Sequence, residues 1–78
     1  MYVNETREEA LAESIRVIAI LDSVAEEDWV AESFIPEDLV FESGDTWHVN
    51  VGQIFYELRE SGLHQTARDF EKAIEASY

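Results

Sequence analysis

The side chains that could do chemistry in this chain are two histidines, His48 and His64, and 18 carboxylates, with no cysteine beside them. Common kinds of catalytic site are a nucleophile with a base, a glycine loop that cradles phosphate, and a cluster of metal ligands. Paired carboxylates can also act as general acid and base, and among 18 carboxylates spacing neither excludes nor indicates such a pair. The two histidines lack the paired helical spacing of a metalloprotease site. The glycines, Gly44, Gly52 and Gly62, stand too far apart to form a phosphate loop. The sequence therefore predicts a protein that is not an enzyme and binds no cofactor.

Calcium is the metal that a cluster of carboxylates would favour. Its helix-loop-helix site has oxygen ligands on alternate positions, a central glycine and a closing glutamate. The acidic stretch from Glu37 to Asp45 does not follow this pattern. We therefore predict no metal site.

The most informative feature is the amount of negative charge and its distribution. Aspartate and glutamate number 18 against five lysines and arginines, which gives a formal net charge of -13. Thirteen of the acids and two of the basic residues lie in residues 1–45, so this half carries -11 and residues 46–78 carry -2. Nucleic acids and anionic membranes are bound through lysine and arginine, so we expect direct binding to neither. The expected partner is a protein with a basic surface.

Two groups of acids would concentrate this charge. Glu5, Glu9 and Glu13 stand four residues apart, which on a helix places them on one face, about 6 Å apart along the axis. The second group consists of Glu26, Glu27, Asp28 and Glu32. We predict that both groups bind the partner, with Trp29 and Phe34 as candidate apolar anchors. Packing in the core is the alternative role of both aromatic residues, and the favoured one.

Regularly spaced carboxylates along a helix resemble the charge of a nucleic-acid backbone. The expected function is a non-catalytic acidic binding protein that occupies a basic surface of its partner, such as the binding cleft of a nucleic-acid-binding protein, and inhibits it. In size and charge the chain is similar to small anti-restriction, anti-CRISPR and nuclease-immunity proteins. The alternative is a helical structural or adaptor subunit. It would form a homodimer or join a larger complex through an apolar face around Trp47, Phe55 and Tyr56.

The elements that must position these residues fit in one small domain spanning residues 1–78. A chain of this length buries only about 60% of the surface that its unfolded form exposes, so its stability margin is thin. The longest apolar run, Val17 to Leu21, is far shorter than a membrane span. The first residues contain no basic region followed by an apolar stretch, so the expected location is cytoplasmic.

Helical patterns begin near the start of the chain. Thr6 and Glu9 form a capping-box pattern before a first helix predicted over 7–25. The apolar positions that repeat at helical spacing within it are Leu11, Ile15, Ile18 and Leu21. We predict that this helix is the centre of the core.

Three further helical segments follow. A short helix is predicted within 26–35, docked by Trp29 and Phe34, and another from Pro36 to Glu42. A final amphipathic helix is predicted over 63–74, after a break at Gly62. The predicted fold class is mainly α, a small single-domain bundle of four to five short helices.

The segment 39–51 allows two interpretations. As a hairpin, two short strands flank a turn at Ser43, Gly44 and Asp45. As a helix capped by Asp45, its apolar residues continue in helical spacing as far as Leu58. We favour the helix because helical spacing accounts for the apolar residues over a longer stretch of sequence, although an interior Gly52 destabilises a helix by about 1 kcal/mol. The hairpin, which would make the fold α+β, is the alternative.

Overall fold

Helices make up most of residues 3–78, the part of the chain that the computed structural model describes. The helices are α1 (Arg7–Val24), α2 (Asp28–Glu32), α3 (Pro36–Leu39), α4 (Val51–Glu60) and α5 (His64–Ser77). The strands β1 (Val40–Ser43) and β2 (Thr46–Val49) form one antiparallel pair. The predicted mainly helical class is confirmed. Within residues 3–78 no helix combines the length and the apolar character needed to cross a membrane.

Helix α1 begins at the predicted capping box. The Thr6 hydroxyl oxygen accepts a hydrogen bond from the Glu9 backbone N–H at 3.2 Å, and the Glu9 carboxylate accepts one from the Thr6 N–H at 3.1 Å. These reciprocal bonds satisfy donors that the first turn of a helix leaves without partners. Helix α1 packs against α2, α3, both strands and α5, so it is the central helix that the sequence predicts.

The burial of α1 agrees with the predicted apolar spacing at Leu21 and in part at Ile18, but not at Ile15. Its buried residues are Ala10, Glu13, Ser14, Val17 and Leu21, whereas Ile15 is 55% exposed. Ile15 therefore faces solvent, contrary to the prediction from apolar spacing, whereas Ile18 packs against the core.

The hydrophobic core joins α1 to every other helix. Its buried members are Val17, Leu21, Val30, Phe34, Leu39, Ile54, Leu58, Ala67 and Phe70. Phe70 is fully buried, and its ring lies 5.1 Å from that of Phe55, centroid to centroid. Burial of these side chains supplies the main stabilising free energy, since the chain has no cysteine.

The segment 39–51 forms the hairpin, so the favoured helical interpretation is wrong for its first half. Gly44 has a φ of +64°, which suits the first position of a two-residue loop between β1 and β2. The backbone of Asn4 pairs with Trp47 through bonds of 2.8 and 3.2 Å, which adds a second partner to β2. Helix α4 then begins after Asn50, whose side chain accepts from the Gln53 N–H at 3.1 Å.

The turn between α4 and α5 is a Schellman motif. The Gly62 N–H donates to the Arg59 carbonyl at 3.0 Å, and the Leu63 N–H donates to the Leu58 carbonyl at 2.8 Å. Gly62 has a φ of +77°, a conformation that costs other residues roughly 1–2 kcal/mol. The predicted break at Gly62 and the final helix are thereby confirmed.

We expect Gly62→Ala to lower the melting temperature by about 4–8 °C, because a destabilisation of about 1 kcal/mol has that effect in a domain of this size. The matched control is Gly52→Ala in α4, where the added methyl group meets the Asn50 side chain at an ordinary 3.4 Å. There alanine should raise the melting temperature, since it favours helix over glycine. Thermal melts followed by circular dichroism measure both melting temperatures. If the two variants shifted the melting temperature equally and in the same direction, the turn geometry at Gly62 would be contradicted.

Candidate protein-binding surface

The first predicted acidic group does not form one exposed stripe. Glu5 and Glu9 are exposed, but Glu13 is only 7% exposed and belongs to the buried side of α1. The Glu9 carboxylate is also engaged in the capping box, where Oε1 accepts hydrogen bonds from the backbone of Glu5 and Thr6. The four-residue spacing does not give a common exposed face, because Glu5 precedes α1 and the face that carries Glu9 is buried from Glu13 onwards.

Glu13 has a structural contact instead. Its Oε1 accepts a hydrogen bond of 3.0 Å from the Asn4 side-chain amide, and the Asn4 backbone pairs with Trp47 of β2. A buried carboxylate needs such donors to offset the loss of water. Glu13 thus links α1 to the segment before it and, through Asn4, to the hairpin.

The second predicted group does lie together on the surface. We call Trp29 and the four acids around it, Glu26, Glu27, Asp28 and Glu32, the Trp29 patch. All four acids are exposed, and Trp29 itself is 53% exposed. Glu26 and Glu27 directly precede α2, and Glu32 is its last residue, so these side chains all belong to one short segment.

The indole of Trp29 does not dock α2 as predicted. Val30 and Ala31 are the buried residues of that helix, and Phe34, which follows it, is in the core. Trp29 lies at the edge of a depression of about 200 Å³ that Glu57 and Leu58 of α4 also line. Half of a large aromatic side chain is therefore left in solvent, in the middle of the acidic segment.

Among the described residues, no lysine or arginine lines the depression beside Trp29. The basic residues of the second half are Arg59, Arg68 and Lys72, on α4 and α5. The Arg59 guanidinium lies over the Phe55 ring at 5.5 Å, and Arg68 donates to the Gln65 side chain at 3.0 Å. These two arginines contact neutral partners.

Asp22 belongs near the Trp29 patch although it was not among the predicted binding residues. It is exposed on α1 and lines a groove together with Glu32 of α2. Its spacing of four residues from Glu26 was a signal for this position, but Val24 and Ala25 end the helix between them. The shared groove is a property of tertiary packing and could not be read from that spacing.

The two histidines lie on β2 and at the start of α5. His48 stacks on Phe41 with ring centroids 5.4 Å apart, and its Nε2 lies 2.8 Å from the Thr46 hydroxyl. His64 is exposed at the first residue of α5. Among residues 3–78, no three histidine, aspartate or glutamate side chains come together in a group that could hold a metal ion.

The apolar face that the alternative function requires is only partly available. Phe55 packs against Phe70, and Trp47 is half-buried in the hairpin opposite Asn4. Tyr56 remains 59% exposed. One exposed ring is a small area for assembly, since single exposed apolar side chains are common on protein surfaces.

The functional inference therefore rests on the Trp29 patch. Its composition, a half-exposed aromatic side chain in a segment of exposed carboxylates, is like the anchor and the charged rim of many protein interfaces. No protein-family model, curated protein or solved structure matches the chain.

Proposed function

We propose that this protein is a non-catalytic acidic binding protein that occupies a basic surface of a partner protein. The observation that carries the proposal is the half-exposed Trp29 within a segment whose four acids, Glu26, Glu27, Asp28 and Glu32, are all exposed. In protein interfaces a tryptophan that becomes buried often contributes much of the binding free energy. Charged residues around it increase the association rate and select the partner.

The partner surface that fits best is a nucleic-acid-binding cleft. Such clefts present lysine and arginine to a row of phosphates. All of the acidic residues except Glu13 and Asp69 are exposed, and most of them lie in residues 1–45. We infer that the protein competes with nucleic acid for this cleft and so inhibits the partner, with cytoplasmic location expected for both.

The net charge is also larger than solubility alone requires. A net charge of -13 on 78 residues repels itself and weakens the folded state. Solubility of a domain of this size requires a net charge of only about 2–8. The excess, concentrated in one half of the chain, supports a role for charge in binding.

The test begins with the wild-type protein immobilised and exposed to host lysate at low salt, with proteins released by steps of increasing salt. A released protein is then purified and bound to a labelled nucleic-acid duplex, and the wild-type chain is added. We expect release at moderate salt, since exposed charges are screened over about 8–10 Å there, and displacement of the duplex.

The salt-release step and the duplex-displacement step can fail independently. A partner that keeps its duplex in the presence of excess chain would refute competition with nucleic acid. Capture that persists unchanged through high salt would refute binding through the acidic surface and favour an apolar interface.

A further inference from the structure

A groove of about 380 Å³ lies between α1 and the segment that runs from α2 to α3. Its floor and walls are mostly apolar, and two carboxylates line it. The residues of this groove that matter here are Ile15, Ile18 and Ala19 of α1, Phe34 opposite them, and the acids Asp22 and Glu32.

The apolar floor is available to a ligand because α1 buries its other side. Ala10, Ser14 and Val17 face the interior, which leaves Ile15 55% exposed and Ala19 exposed one turn further on. Scattered apolar residues on a surface need no explanation, but these share one concave site with the Phe34 ring. Concave apolar surfaces between helices are suited to receive a third helix.

The charge around the groove determines what kind of helix fits. Asp22 and Glu32 line it, no lysine or arginine does, and the remaining acids of the Trp29 patch are close to Glu32 in sequence. A second copy of the chain would bring a net charge of -13 to the same carboxylates. The groove is complementary to a segment with apolar residues on one face and lysine or arginine beside them.

We propose that this groove binds an amphipathic basic helix of the partner protein. Apolar side chains of that helix, spaced three and four residues apart, lie on Ile15 and Ala19, and its flanking cations face Asp22 and Glu32. The inference rests on the proposed function, since it specifies which part of a basic partner is recognised.

The probe for the test is a fluorescein-labelled peptide of about 18 residues, or five helical turns, made of leucine and lysine with all leucines on one face. A scrambled peptide of the same composition has the same charge but no apolar face. Fluorescence anisotropy at low salt compares the two on the full-length protein. We expect the amphipathic peptide to bind at least tenfold more tightly than the scrambled one.

Variants of the protein locate the contact. Ile15→Ser removes the exposed apolar floor, and we expect it to weaken the amphipathic peptide about tenfold. Tyr56→Ser removes an equally exposed apolar side chain on α4 and should change the affinity less than about twofold. Both side chains are more than half exposed, so both variants should keep the wild-type circular dichroism spectrum.

The outcomes separate the groove from the proposed function. Salt-sensitive binding that is equal for both peptides, or unchanged by Ile15→Ser, would overturn the groove and leave the acidic-surface proposal intact. Failure of both peptides to bind at low salt would count against both proposals. A homodimer in sedimentation equilibrium that Ile15→Ser dissociates would show that a second copy occupies the groove, and would overturn the inference.

Discussion

Reversal of three charges in the Trp29 patch, Glu26→Lys, Glu27→Lys and Asp28→Lys together, is expected to weaken partner binding by about 100-fold or more at low salt. The reversed charges face a basic surface, and like charges placed together at an interface cost several kcal/mol, which corresponds to at least this factor. Single reversals should have mild effects, mainly on the association rate. Surface plasmon resonance at two salt concentrations measures both rates, and the helical spectrum should be retained because all three side chains are exposed.

The matched control is a second triple reversal, Glu60→Lys, Glu71→Lys and Glu75→Lys, on α4 and α5. It changes the net charge from -13 to -7, as the first set does, and its three residues are also exposed. Glu57 is left out because it lines the depression beside Trp29. The control should weaken binding less than about tenfold. Equal losses would mean that total charge alone matters and that the Trp29 patch is not the binding site.

Elements whose signals are local were predicted well from the sequence. The capping box of Thr6 and Glu9 lies within four residues, and the break at Gly62 follows from one backbone conformation. The periodicity of α5 is contained in its own 14 residues, and Phe70 on its apolar face is fully buried. In these cases the interactions that decide the structure are made between neighbours in the chain.

Local sequence could not decide between hairpin and helix, because the second partner of β2 is distant in sequence. The strand and helix patterns of 39–51 were nearly balanced, and the bonds between Asn4 and Trp47 join residues 43 positions apart. A contact of this kind adds stability to β2 and none to a helix in its place. The sequence showed both alternatives, but only the packed structure shows which has the additional partner.

The sequence predicted only part of the candidate site, again because contacts between distant residues decide which side chains are buried. The acids in the short segment around Trp29 are exposed, whereas Glu13 is buried and accepts a hydrogen bond from Asn4. Exposure of Trp29 and Ile15 also depends on which side of α1 and α2 the rest of the chain covers. Composition indicated a charged surface, and packing determines where its apolar anchors lie.

The triple reversal Glu5→Lys, Glu9→Lys and Glu13→Lys tests this distinction, because we expect it to unfold the protein. A lysine at position 13 would place a buried ammonium group against the Asn4 amide N–H, and an uncompensated buried charge costs roughly 3–5 kcal/mol. Loss of the Glu9 capping interaction adds about 0.5–2 kcal/mol. Together these approach or exceed the stability of about 5 kcal/mol expected for so small a domain. Circular dichroism at 25 °C should show most of the helical signal lost.

The reversal at Glu26, Glu27 and Asp28 is the control for this result as well, since it changes the net charge by the same amount at exposed positions. It should melt cooperatively within a few degrees of the wild type or above it, because lower net charge reduces self-repulsion. Glu13→Gln keeps an oxygen that can accept from Asn4, so it should be far less damaging than lysine. If the Glu5, Glu9 and Glu13 triple melted like the wild type, Glu13 would have to be solvent-exposed, and the predicted stripe would become a binding surface again.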